Sequence, residues 1–199
     1  MRDNQKARTR AAIVRAAGAL LRQGGKVGLD EIAEAAGVSR ATAYRYFPGL
    51  DALLGEATVD LLMPQIEEVL GPDAPTDPFE RLALVDDTFE RVIRDGEVPL
   101  RLTIAKVIER SVEHKPGDPP FRQNRRGPLI EQALAPLAPR LGKARVEMLV
   151  YALTMVIGTE SFLALNDVAG LDPERAREVR RWTIDALVTA ALKDACLDG

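Results

Sequence analysis

Residues 30–47 decide the fold of this chain and read DEIAEAAGVSRATAYRYF. The stretch predicts two short helices joined by a tight turn at Gly37, with Ser39 as the N-cap of the second helix. This arrangement is typical of a helix-turn-helix, whose second helix lies in the major groove of DNA. We therefore expect residues 1–50 to form a DNA-binding domain and residues 51–199 to form a second domain.

The second helix of this motif has one apolar side and one polar side. At 100° per residue, Ala43 and Phe47 fall together and are expected to face a small core. On the opposite side, Arg45 can hydrogen-bond to the edge of a guanine, and the methyl group of Thr42 can contact a thymine. The tyrosine hydroxyls and Arg40 can hydrogen-bond to phosphates. An ordinary amphipathic helix with a solvated basic side is the alternative, but it does not explain exposed tyrosines. The predicted DNA-contacting residues are Arg40, Ala41, Thr42, Tyr44, Arg45 and Tyr46.

The charge of the chain is distributed unevenly. Residues 1–50 contain nine Lys or Arg and four Asp or Glu, whereas residues 51–199 contain 18 and 26, for an overall charge of −3. A basic N-terminal part on an acidic body is expected when only one end of a protein meets phosphate. A basic surface that is only solvated is the common alternative explanation of this charge. The prediction of DNA binding therefore rests on the helix-turn-helix motif.

Composition argues against several other classes of protein. A single cysteine (Cys196) and a single histidine (His114) argue against a disulfide framework, a metal site and His- or Cys-based catalysis, so we expect no cofactor and no enzyme. The adjacent acidic pairs Asp86-Asp87 and Glu67-Glu68 should diverge on a helix and be solvated. We find no signal peptide and expect no apolar run long enough to span a membrane, which predicts a cytoplasmic protein.

Helical periodicity continues along the whole chain and no convincing strand is found. A loop at residues 71–78 is followed by a stripe of apolar residues that ends at Asp95-Gly96. Asp172 and Pro173 mark the start of the last helix. The predicted helices span residues 5–23 (ended by Gly24-Gly25), 29–36, 50–70 with a kink at Pro64, 99–112 before a break at 115–120, 128–137, 143–167 and 173–197.

The motif resembles the signature of the TetR family of dimeric, ligand-responsive bacterial transcription regulators, most of which are repressors. The resemblance covers roughly residues 8–60. It implies an all-α fold of nine or ten helices, with a three-helix DNA-binding domain and a helical body for ligand binding and dimerisation. The matching residues are Ala16-Ala17, Gly37-Val38-Ser39, Thr42, Tyr44, Phe47 and Leu53-Leu54.

The resemblance also implies contacts outside the second helix of the motif. Arg8 and Thr9 match a phosphate contact at the start of the first helix in some members. Two positions depart from the family: Leu50 stands where a Lys is common, and acids occupy Asp30 and Glu31, where some members read bases. Acids there repel phosphate, although they can accept from a cytosine amino group.

The two final helices, 143–167 and 173–197, are apolar on more than one face, so each needs two partners. In the family the matching helices form a four-helix bundle between subunits, which predicts a homodimer. A helix buried within a monomer is the alternative for the first of them.

Tyr151, Thr154 and Glu160 interrupt the apolar helix 143–167 and predict a small-molecule site, and the resemblance adds Arg101, whose helix lines the pocket in relatives. Solvation of Arg101 and a salt bridge of Glu160 are the competing readings, and Trp182 is expected to pack in the body. The predicted function is a homodimeric repressor that a ligand releases from a double-stranded DNA operator. A helical interaction protein with weakened DNA binding is the alternative.

Overall fold

The computed structural model describes residues 2–23, 27–47, 49–112 and 124–197; most of these residues are helical and none of them is in a strand. His114, Gly24-Gly25 and the predicted break at 115–120 lie outside the described residues. Two compact units are formed: Met1–Met63 with Asp95–Gln123, and Pro64–Arg94 with Asn124–Gly199. The all-α fold predicted from periodicity is confirmed.

The first unit contains α1 (Arg2–Gln23), α2 (Leu29–Ala35), α3 (Arg40–Tyr46), α4 (Leu50–Leu62) and α7 (Glu97–Ser111). The second contains α5 (Ile66–Leu70), α6 (Pro78–Asp95, whose last residue falls in the first unit), α8 (Arg126–Leu134), α9 (Ala138–Val156), α10 (Thr159–Phe162) and α11 (Pro173–Leu197). A 3₁₀ turn, Ala135–Leu137, precedes α9, and a π turn, Leu163–Val168, follows α10.

Two predicted helices are each divided in the structure. The helix predicted over 50–70 stops at Leu62 and restarts at Ile66, because Pro64 lacks the N–H that a continuous helix needs. The helix predicted over 143–167 begins after Gly142 (φ 73°) but ends at Val156. Gly158 there has φ 138°, a backbone conformation that glycine adopts and that does not continue a helix. These divisions produce more helical segments in the described residues than the nine or ten expected.

The first unit has a core at the centre of its three N-terminal helices and α4. The predicted inward residues Ala43 and Phe47 are both buried, as are Ile13, Ala17 and Ile32. Packing of α4 against α1 closes this core from one side, and α7 packs against α4. The core therefore gives the three N-terminal helices a rigid base.

A cluster of charged side chains joins α6 to α11 in the second unit. Asp86 is only 1% exposed and accepts from Arg180 at 2.9 Å, while Arg181 lies 2.7 Å from Asp87 and 3.5 Å from Asp86. The expectation of two diverging, solvated acids is therefore wrong for this pair. The carboxylates of Asp86 and Asp87 both contact α11, because the Arg181 guanidinium lies close to each of them. Glu67 and Glu68 are exposed, as expected, although Glu68 also accepts from the N–H of Gln65 at the start of α5.

Glu90 is the common acceptor of this cluster. It accepts from Arg177 and from Arg180 at 2.8 Å, and Arg94 also lies against it. Burial alone raises the pKa of Glu90, but the hydrogen bond from Arg177 and the charges of the three arginines outweigh it, so the pKa lies below its ordinary value. Burial also raises the pKa of Asp86, and Arg180 offsets part of that effect.

One helical stretch, 126–168, is long and apolar enough to cross a membrane by length and composition alone. The core helix of a water-soluble protein passes the same test. The expectation that no apolar run reaches this length is therefore wrong for the described residues. The structure interrupts the stretch at Gly142 and Gly158, where φ is positive.

We expect Glu90→Gln to reduce the free energy of unfolding by about 3 kcal/mol at neutral pH, because it leaves the buried Arg180 with less compensation. The loss should shrink as the pH falls below about 4.5, the ordinary pKa of Glu, since a carboxyl with a lowered pKa stabilises the fold only while ionised. Urea unfolding at several pH values measures both effects. Glu80→Gln, an exposed acid on α6, is the control; equal effects of the two substitutions would contradict the role given to Glu90.

Candidate nucleic-acid interface

The turn of the helix-turn-helix is built as the sequence predicts. Gly37 has φ 66°, and the N–H groups of Gly37 and Val38 donate to the carbonyls of Glu34 and Ala33, which ends α2. Ser39 then begins α3, since its hydroxyl oxygen accepts from the N–H of Thr42 at 3.1 Å. The direction of α3 is therefore determined by short-range hydrogen bonds.

The polar side of α3 is presented to solvent. Arg40, Ala41, Tyr44 and Arg45 are exposed, whereas Thr42 and Tyr46 are half-buried. The structure thus brings all six residues predicted from the helical wheel to one short helix. Thr42 is partly engaged, because its hydroxyl lies 2.9 Å from that of Ser39.

Tyrosine rings support both arginines of α3. The Arg45 guanidinium lies 5.5 Å from the centre of the Tyr46 ring, and that of Arg40 lies 5.4 Å from the centre of the Tyr44 ring. Such cation–π contacts hold a guanidinium without using its hydrogen-bond donors. Tyr44 and Tyr46 therefore have a physical role in orienting the two cations.

Arg40 is also paired with an acid from the start of α2. Its Nε lies 2.9 Å from Asp30 Oδ1, and both side chains are more than half exposed. The Tyr44 hydroxyl and then the Asp30 charge raise the pKa of Arg40 above an already high value, so this side chain is a fixed cation. Glu31 has a separate role, because its carboxylate accepts from the N–H of Gly28 at 2.7 Å and caps α2.

The predicted phosphate contacts on α1 differ in accessibility. Arg8 is exposed, whereas Thr9 is half-buried and donates its hydroxyl hydrogen to the carbonyl of Gln5. Leu50, the departure from the family pattern, is half-buried and packs against the core of the first unit.

Sequence reasoning missed Arg10 and Glu56. These two side chains are buried and form an ion pair between α1 and α4, and the Arg10 guanidinium lies 4.6 Å from the centre of the Phe47 ring. A signal was present, since Arg10 lies on the helical face of Ile13, Val14 and Ala17. A charged residue in the register of a core face indicates a buried pair.

The residues predicted to bind a small molecule are not all in one unit. Arg101 belongs to the first unit and lies 2.9 Å from Glu97. The other three belong to the second: Tyr151 is 60% exposed, Thr154 donates to the carbonyl of Val150, and Glu160 pairs with Arg126 at 2.5 Å.

The comparison with protein families agrees with the motif. Residues 13–57 match the sequence model of the family described as bacterial regulatory proteins, tetR family. The chain is also similar to the crystal structure of a TetR transcriptional regulator from Rhodococcus sp. RHA1, with 20% identity over 92% of this chain and 97% of that chain and a TM-score of 0.45. The comparison with curated proteins finds no match.

The helix-turn-helix and its family match define a DNA-binding protein. The resemblance predicted from the motif is confirmed over residues 13–57, which match the DNA-binding domain of the TetR family.

We expect Asp30→Asn to strengthen DNA binding, because it removes a negative charge near phosphate and frees the Arg40 side chain. If Arg40 then makes one more phosphate contact, the slope of log affinity against log salt should become steeper by about 0.9. Fluorescence anisotropy over a salt series measures this. Thermal stability should change little, since exposed pairs contribute below about 1 kcal/mol.

Glu34→Gln is the matched control for this substitution, since Glu34 is an exposed acid at the other end of α2. Weaker binding by Asp30→Asn alone would contradict the prediction. It would show that Asp30 contacts a base or positions Arg40.

Proposed function

We propose that this protein is a homodimeric repressor in the cytoplasm that binds a double-stranded DNA operator and leaves it when a small molecule binds. The observation that carries the proposal is the exposed polar face of α3 on a buried base of Ala43 and Phe47. We assign Arg45 to the recognition of a guanine edge. We assign Arg40 and the tyrosine hydroxyls to contacts with phosphate.

Dimer formation is supported by apolar residues that remain exposed on the second unit. Met148, Tyr151 and Met155 follow one another at helical spacing on α9 and are 60–71% exposed. On α11, Trp182 is 73% exposed, so the expectation that it packs within the chain is wrong. Exposed apolar stripes on two neighbouring helices favour a partner surface.

The small residues of α11 fit close helix packing. Ala186 and Ala190 are exposed and continue the line from Trp182 at intervals of four residues. We therefore assign α9 and α11 to the subunit interface, and Tyr151 to that interface rather than to a ligand site. Two recognition helices related by a two-fold axis would then meet half-sites about 34–36 Å apart.

A helical interaction protein with weakened DNA binding is the competing function. Leu50 and the Asp30 charge favour it, because both reduce attraction to phosphate. Binding to the DNA upstream of the gene, measured by anisotropy over a salt series, separates the two functions. We expect log affinity to fall with log salt with a slope of several units, about 0.9 for each neutralised phosphate, whereas weak binding with no salt dependence supports the alternative.

Arg45→Ala should relax sequence preference at a single base pair and lose about 1–3 kcal/mol of discrimination there. Anisotropy with a set of singly substituted operators measures this. Arg91→Ala removes one exposed positive charge from α6 and is the control. An Arg45→Ala protein with the original preference at every position would overturn the assignment of Arg45.

Met155→Asp should convert the dimer to a monomer, because a carboxylate would be buried without a partner at the interface. Light scattering after gel filtration measures the mass, and operator affinity should fall with it. Val98→Asp, at an exposed apolar residue of the first unit, is the control. A Met155→Asp protein that remains dimeric would exclude this face as the interface.

A further inference from the structure

A cleft of about 400 Å³ lies between α4 and α7 of the first unit. Its size falls in the range of small-molecule sites, about 300–1,000 Å³. Most of its surface is apolar, with contributions from Ala52 and Leu54 on α4 and from Pro99 and Leu102 on α7. Its lining residues all belong to the first unit, whereas Tyr151, Thr154 and Glu160 belong to the second.

The two helices touch closely beside this cleft. A Cβ atom on Gly55 would lie 2.6 Å from the Thr103 hydroxyl, a distance that real Cβ atoms do not tolerate. Glycine therefore lets α4 approach α7, and the spacing of the two helices is sensitive to small changes in volume.

The polar groups in the cleft determine the chemistry of its ligand. The hydroxyl of Thr58 donates to the carbonyl of Leu54, and that of Thr103 donates to the carbonyl of Pro99, both at 2.8 Å. Each hydroxyl has used its only hydrogen, so toward the cleft it can only accept. A ligand that hydrogen-bonds to these two hydroxyl oxygens must therefore carry a hydrogen-bond donor.

The charges at the cleft favour a neutral molecule. Asp51 and Lys106 are the charged residues of the lining; both are exposed to solvent and Lys106 pairs with Glu109 at 3.5 Å, so no buried charge faces the cleft. We propose that this cleft binds a small, neutral, mainly apolar molecule with a hydroxyl or N–H donor, of the class of phenols and aromatic alcohols.

The position of the cleft gives binding a direct route to the DNA-contacting helix. Glu56 follows Gly55 on α4 and holds the buried Arg10, whose guanidinium lies over the ring of Phe47 at the end of α3. A ligand that separates α4 from α7 would change the position of Glu56 and so of this contact. This regulatory consequence rests on the proposed function, whereas binding in the cleft does not.

The test uses the full chain with ¹³C-labelled Leu and Thr methyl groups and the probe 4-ethylphenol. We expect saturable shifts at Leu54, Leu102, Thr58 and Thr103, with an affinity of about 1 mM for a probe of this size. The methyl ether 4-ethylanisole has the same apolar part without the donor and should bind several-fold more weakly.

Two substitutions examine the site. Ala52→Leu fills the cleft and should weaken the binding of 4-ethylphenol at least tenfold. Ala105→Leu adds the same atoms at an exposed position of α7 outside the lining and should bind like the original protein. Thr103→Val keeps the side-chain shape without the acceptor, and should reduce the preference for the phenol over its ether while leaving the ether unaffected.

Several results would overturn the site: no saturable shifts in these methyl groups, shifts confined to the second unit, unaltered binding by Ala52→Leu, or equal binding of phenol and ether. Operator affinity is measured separately, with and without 4-ethylphenol. Operator binding that is unaffected by a saturating probe would remove the regulatory consequence and leave the site. Failure to bind DNA without any probe would instead overturn the proposed function.

Discussion

The buried ion pair between Arg10 and Glu56 is the constraint on which the DNA-binding unit depends. Neither charge can remain buried without the other, because removing a charge from water costs several kcal/mol that only a close partner offsets. The pair therefore sets the contact of α1 with α4. Since Arg10 also covers the ring of Phe47, the same interaction holds the end of α3. Three helices meet at one guanidinium, and the exposed face of α3 takes its orientation from them.

The second unit uses charge in the same way but between other helices. Asp86 and Glu90 on α6 meet Arg177, Arg180 and Arg181 on α11, and much of this cluster is buried. Such clusters are weak contributors to net stability but strong constraints on register, because a shifted helix would leave several charges unpaired. The cluster fixes α11 on one side and leaves Trp182 exposed on another. That combination agrees with the proposed subunit interface.

Charge on the DNA-binding surface has a different purpose. There the Asp30–Arg40 pair is exposed, so it contributes little to folding and can be exchanged for a phosphate contact. The ring of Tyr46 supports Arg45 without occupying its donors, whereas Arg40 lies over the ring of Tyr44 and also donates to the Tyr44 hydroxyl at 3.5 Å. The surface therefore combines two oriented arginines, Arg40 and Arg45, with one nearby acid, Asp30, that lowers the local positive charge. An acidic protein can in this way present a basic face, because the excess acids belong to the rest of the chain.

The sequence by itself determined the helix-turn-helix and which side of its second helix is buried. These features depend on local signals: a glycine that accepts positive φ, a serine cap, and the helical spacing of Ala43 and Phe47. Pro64 was also a local signal, although it was expected to bend a helix that it ends, whereas the break at Gly158 was not predicted. Only the tertiary structure decided which charges are buried. Arg10 and Glu56 are 46 residues apart, and Asp86 and Arg180 are 94 apart, so no periodic pattern pairs them. Folding brings these groups out of water together, and the cost of burying either one alone determines the pairs.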